Sequence, residues 1–183
     1  YTDSALIPSA IGSGYGQVIG SKYKLKRVDV RGELVPSVSV DQADVLVPAS
    51  VRLCLVLDTQ PNGSQAQGED VFPALGAVAS QMNYEFIAMG TGAGGRFRIL
   101  KERVVVLGGP VAGTDGTNTN SVGGCRAKFS MSHKFNTQVS LKTNSATPTV
   151  ASLISHNVFL LAHSSGGGNP LTINAVSRAA YVD

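Results

Sequence analysis

From Lys22 the chain alternates: Tyr23, Leu25, Val28 and Val30 are apolar, and Lys22, Lys24, Lys26 and Asp29 stand among them. A period of two puts successive side chains on opposite faces, so the segment from Lys22 to Val40 predicts a strand with one buried face and one wet face. The parity slips between Leu25 and Val28, which predicts a bulge near Lys26-Arg27. Gly32 and Pro36 are expected to bend or end the strand. Val51 to Leu57 is almost wholly apolar, the signature of a strand buried on both sides. It stops at a polar loop, Asp58 to Gly68, in which Pro61-Asn62-Gly63 is good turn chemistry.

The segment DVFPALGAVASQM, residues 70–82, predicts a short helix capped by Asp70, followed by a short strand from Tyr84 to Met89. Phe97 to Leu107 reads as a strand pair or one bent strand. The Gly-, Thr- and Asn-rich residues 108–124 are too long for a tight turn and predict a functional, interface-forming or disordered loop. Ala127 to Leu141, Val158 to Ala162 and Leu171 to Val182 complete a set of about eight strands. Neither an internal repeat nor a linker divides them, so residues 1–183 are expected to form a single all-β sandwich or barrel.

Composition agrees. Of 183 residues, 43% are hydrophobic and 15% charged, which is a globular balance rather than a disordered one. No apolar run approaches the roughly 18 residues of a membrane helix. The opening residues YTDSALIPSAIGSGYGQ lack the basic-then-apolar order of a signal peptide. A start at Tyr1 suggests processing or a longer parent product. Cys54 and Cys125 are isolated in strand-like surroundings, and both are expected to be reduced thiols in or near the core rather than a disulfide or a zinc site.

Charge changes the picture more. Of the 15 Lys and Arg, 12 fall in three stretches, KYKLKRVDVR, RFRILKER and RAKFSMSHK, whereas Arg52 is alone among six acids between Asp41 and Glu85. Lys22, Lys24 and Lys26 are two apart, as are Arg96 and Arg98, and Arg126 and Lys128, so each group projects from one face of its strand. Taken singly, such residues keep strands soluble and unpaired. Taken together they predict a basic face that contacts a phosphate backbone without reading bases.

Other candidate chemistry is weaker. Gly90 to Gly95 satisfies G-x-G-x-x-G, but RFRILKERVVVL follows it, a strand-forming run where a dinucleotide site needs a helix. His133, His156 and His163 are dispersed, and no Ser sits in a nucleophile elbow. No catalytic residue, metal site or cofactor is predicted, and the chain is not expected to be an enzyme. Asp58, Asp115 and Asp183 are candidate ion ligands that no spacing marks.

The order of features resembles the capsid proteins of circular single-stranded DNA viruses that encode a replication protein, the geminivirus and circovirus-like coats. The resemblance runs through Leu53-Cys54-Leu55-Val56-Leu57-Asp58-Thr59-Gln60-Pro61-Asn62-Gly63, then Glu69-Asp70-Val71-Phe72 and Arg96-Phe97-Arg98-Ile99-Leu100-Lys101. It continues at Asn157-Val158-Phe159-Leu160-Leu161 and closes at Asn169-Pro170, Arg178 and Tyr181-Val182-Asp183. It covers roughly residues 20 to 183, without the zinc-finger-like elements of the plant virus coats. That fits a smaller relative.

The resemblance implies an eight-stranded jelly roll of two four-stranded antiparallel sheets, assembling with itself into a T=1 shell of about 60 copies. It implies a basic N-terminal arm upstream of Tyr1, a single-stranded DNA genome as partner, a host receptor, and location in the virion and, during assembly, the host nucleus. Lys22, Lys24, Lys26, Arg27, Arg96, Arg98, Arg126 and Lys128 are then the expected inner-surface DNA contacts, and the acidic segment 41–95 faces outward or meets a neighbour. The competing expectation is a non-viral jelly-roll binding module of lectin type, which the absence of Trp disfavours.

Overall fold

The alternation at Lys22 produces a fifteen-residue strand. The computed structural model describes residues 10–11, 17–18, 20–36, 49–72, 95–107, 126–141, 149–164 and 171–182. The expected strand at 84–89, the loop 108–124, Cys125, residues 73–82 of the expected helix and all but Gly95 of the glycine motif lie outside them.

The strands in chain order are β1 (Ala10–Ile11), β2 (Gln17–Val18), β3 (Lys22–Pro36), β4 (Ala49–Asp58), β5 (Phe97–Leu107), β6 (Ala127–Leu141), β7 (Leu153–Ser155), β8 (Asn157–Ser164) and β9 (Leu171–Val182). β1 and β2 form a two-residue parallel pair. The remainder make two antiparallel sheets, four-stranded β7-β6-β3-β9 and three-stranded β5-β4-β8. The fold is therefore all-β.

The two sheets share one core. Tyr23, Leu25, Val28, Val30 and Leu34 of β3, with Phe129, Met131, Val139 and Leu141 of β6, pack in one buried cluster with Val51, Leu53, Leu55 and Leu57 of β4 and Val158, Leu160 and Ala162 of β8. Each such side chain stabilises the fold by roughly 1.5–3 kcal/mol relative to exposure. Burial pushes the Tyr23 phenol above its ordinary range, and the nearby Tyr181, whose ring packs edge-on at 5.6 Å, adds to the shift.

β4 is buried on its other face too, as its unbroken apolar run predicts. There Cys54 and Val56, with Phe159 and Leu161 of β8 and Phe97 of β5, are covered by Ala66, Val71 and Phe72. The cover is the polar loop followed by one helical turn, α1 (Gly68–Val71). This turn overlaps the expected helix at Asp70 and Val71 only and ends at extended Phe72. Gln67 is its N-cap residue, and Asp70 sits at the third helical position, where its carboxylate accepts from the Gln67 backbone N–H at 2.7 Å.

Two further expectations are sharpened. The bulge is present, since β3 shifts register against both neighbours between Leu25 and Arg27. Gly32, by contrast, does not end β3, which stays paired on both sides through Leu34 and has Pro36 as its last residue. A Cβ at Gly32 would collide with the Asn174 carbonyl and lie 2.9 Å from Ala175 Cα and from the Phe129 ring. Glycine is needed for close approach. Phe97–Leu107 proves to be one strand, with a register shift opposite Leu55/Val56.

Candidate nucleic-acid interface

The parity that buries Tyr23 and Val28 turns their neighbours outward. On β3 these are Lys22, Lys24, Arg27, Asp29, Arg31 and Glu33. Register then sets Ser140 beside Lys22, Gln138 beside Lys24, Lys134 beside Arg27, Ser132 beside Asp29, Ser130 beside Arg31 and Lys128 beside Glu33. On the other flank, β9 places Arg178 beside Asp29, Val176 beside Arg31 and Asn174 beside Glu33. Lys22, Lys24, Arg27, Arg31, Lys128, Lys134 and Arg178 are all exposed. Two carboxylates, Asp29 and Glu33, stand against these seven cations. The outward positions of β3, β6 and β9 include no aromatic side chain.

Five of the eight expected contacts thus lie on this sheet or at its bulge: Lys22, Lys24, Lys26, Arg27 and Lys128. Lys26 is exposed but sits in the bulge, out of register with both neighbours. Arg126 precedes β6 and lies 3.8 Å from Glu33. Arg96 and Arg98 belong to the other sheet. Arg98 is exposed on β5, whereas Arg96 is committed elsewhere, donating from Nε to Asp58 Oδ1 at 2.9 Å and from Nη2 to Oδ2 at 2.8 Å. Those bonds raise the Arg96 pKa further.

Asp58 is fully buried, and its Oδ1 also accepts from the Gln60 N–H at 3.0 Å. Its carboxylate accepts three protein donors and has no exposure in this chain, which places it away from the surface where an inter-subunit ion would sit; Asp115 and Asp183 lie outside the described residues. The polar end of β4 is thereby explained. Asp58 locks Arg96, Thr59 donates to the Arg96 carbonyl through both N–H (2.8 Å) and hydroxyl (2.9 Å), and Asn62 with Gly63 at φ +91° turns the chain. Arg52 is the parallel case: buried, bonded to Glu102 at 2.9 Å, and stacked 4.5 Å over Phe72.

Arg31, Lys134 and Arg178 were missing from the expected contacts. Arg31 and Lys134 were within reach, since they stand in the basic stretches at outward parity. Arg178 is isolated in sequence and joins the face only through β3–β9 pairing.

On the open face, Asp29 accepts from Arg27 Nε at 2.8 Å, from Arg178 Nη2 at 3.1 Å and from the Ser132 hydroxyl. The Ser132 and Arg27 bonds, the largest causes, hold its carboxyl down from 3.8 to about 2. Among the described residues no three His, Cys, Asp or Glu side chains cluster as metal ligands. His133 packs edge-on to Phe135 at 4.7 Å, and His156 occupies a left-handed turn at φ 58° between β7 and β8. No helix among the described residues is long and apolar enough to cross a membrane. Neither a protein-family model nor a curated protein matches this sequence.

Proposed function

We propose that this chain is a self-assembling capsid subunit that packages single-stranded DNA through sequence-independent contacts. The observation that carries the reading is the outward face of β3, β6 and β9, where seven cations outnumber two carboxylates on a sheet whose other side is core. A rigid basic sheet without aromatic platforms suits phosphates and offers nothing on which to stack bases or sugars.

Two of the pairings agree with an eight-stranded jelly roll: among the long strands the first pairs with the last (β3 with β9) and the second with the second-last (β4 with β8). The pairings β3–β6 and β4–β5 stand outside that nesting, and the two sheets hold seven strands among the described residues. The pair with buried Asp58 moves Arg96 from DNA contact to scaffold, and Arg31, Lys134 and Arg178 join Lys22, Lys24, Arg27 and Lys128 as the DNA-facing set on the sheet, with exposed Lys26 and Arg126 at its margins.

Expression of the full-length chain with any upstream arm, followed by light scattering and electron microscopy, tests the reading. Particles near the mass of sixty subunits, containing nuclease-protected single-stranded DNA, are expected. Charge reversal at Lys22, Lys24 and Lys128 should then empty the particles. A monomer across a range of salt and pH would overturn the assembly reading, and unchanged DNA content in the reversed variant would overturn the assignment of the face.

A further inference from the structure

The open face holds one carboxylate at its centre. Asp29 lies between Arg27, Arg178 and Ser132 on three adjacent strands, with Arg31 two residues on and Lys134 beside Arg27. A surface selected only for positive charge would not place an acid among four cations. The geometry gives the acid a use. Each guanidinium has five N–H donors, and the bonds to Asp29 engage one from each. The Arg27 side chain remains 45% exposed and that of Arg178 77%, whereas Asp29 is 12% exposed beneath them.

We infer that Asp29 is the positioning residue of a phosphate subsite, in which Arg27 and Arg178 are held ready to clasp one phosphodiester group of a single-stranded nucleic acid. The inference rests on the reading of this face as a nucleic-acid surface and adds a defined place on it. A free arginine loses rotamer freedom when it grips a phosphate; an arginine already tied to a carboxylate loses less. The planar fork then meets the phosphate through donors that Asp29 leaves open. No aromatic side chain adjoins it on the outward face, so the subsite grips the backbone without a platform for stacking bases.

Charge and positioning predict opposite signs for one variant, which makes the inference testable. Asp29→Ala adds one positive charge to the face. If charge alone matters, it binds a fluorescein-labelled oligo(dT) more tightly than the parent in fluorescence anisotropy at fixed salt. If Asp29 positions the two arginines, it binds about three- to tenfold more weakly. Arg178→Lys keeps the charge and removes the fork, and it too should weaken binding if the fork is used. Its exposed position leaves the fold undisturbed, so it serves even if Asp29→Ala misfolds.

Equal or tighter binding by Asp29→Ala, or unchanged binding by Arg178→Lys, overturns the subsite and leaves the basic face standing. Failure of the parent protein to bind oligo(dT) at low salt overturns both, and so separates the two failures.

Discussion

The outer faces of the two sheets carry the same kinds of charged residue and treat them in opposite ways. On the smaller sheet, Arg96 and Asp58 form a pair in which the Asp58 side chain is 0% and the Arg96 side chain 20% exposed, and Arg52 is buried against Phe72. On the larger sheet, Arg178 and Asp29 form a pair of similar length, yet the arginine is 77% exposed. The first pair is scaffold, because a buried carboxylate without its partner is costly. The second contributes little to stability and keeps donors available to a ligand. A charge is therefore read by whether its pair is buried or open to solvent.

The sharpest way to break this contrast is to remove one arginine from each pair. Arg96→Ala strands the buried Asp58 carboxylate and should cost about 3–5 kcal/mol in urea unfolding. Arg178→Ala should cost about 0–1 kcal/mol. Similar losses from the two variants would show that burial does not separate the roles.

Gly32→Ala probes the sheet beneath the open face. Its Cβ would meet Asn174, Ala175 and Phe129 backbone and ring atoms, so a loss of about 1–3 kcal/mol is expected, with weakened hydrogen-exchange protection where β3 meets β9. A neutral effect would mean that β9 packs less closely on β3 than described.

Acid sharpens the contrast at Asp29. Its folded pKa is depressed, so its stabilising contribution is complete above 3.8 and is lost as pH falls through about 2. Between pH 5 and 8 the Arg27–Asp29–Arg178 cluster should not change. An NMR titration of the Asp29 carboxyl reads this directly; a midpoint at the ordinary 3.8 would show that Ser132 and the two arginines do not hold it.

The smallest effect is at Cys54, under the covered face. Burial pushes its thiol up to about 11, so in a Cys125→Ser background it should label slowly at pH 8 until the protein is unfolded. Fast labelling of the native protein would mean that the cover opens readily.

Much of this was legible along the chain. Period-two alternation located β3 and its bulge, because a half-buried strand cannot hide which face is wet. The unbroken run at β4 announced burial on both sides, although what covered its second face did not show in the pattern. The basic positions of β3 and β6 were legible for the same reason. Gly32 was misjudged, since a glycine demanded by a neighbouring strand looks in sequence like one that ends a strand.

By itself, then, the sequence determined that the chain is all-β, where its long strands run, and which side chains on each strand face water. Those properties follow from local periodicity. Only the tertiary structure decided which strands lie side by side, and with that the fate of each charge. Pairing across 38 residues tied Arg96 to the buried Asp58, and pairing across 149 carried Arg178 to Asp29. No local pattern encodes such a meeting, because it depends on strand order and register, and these are set by how two sheets share one core.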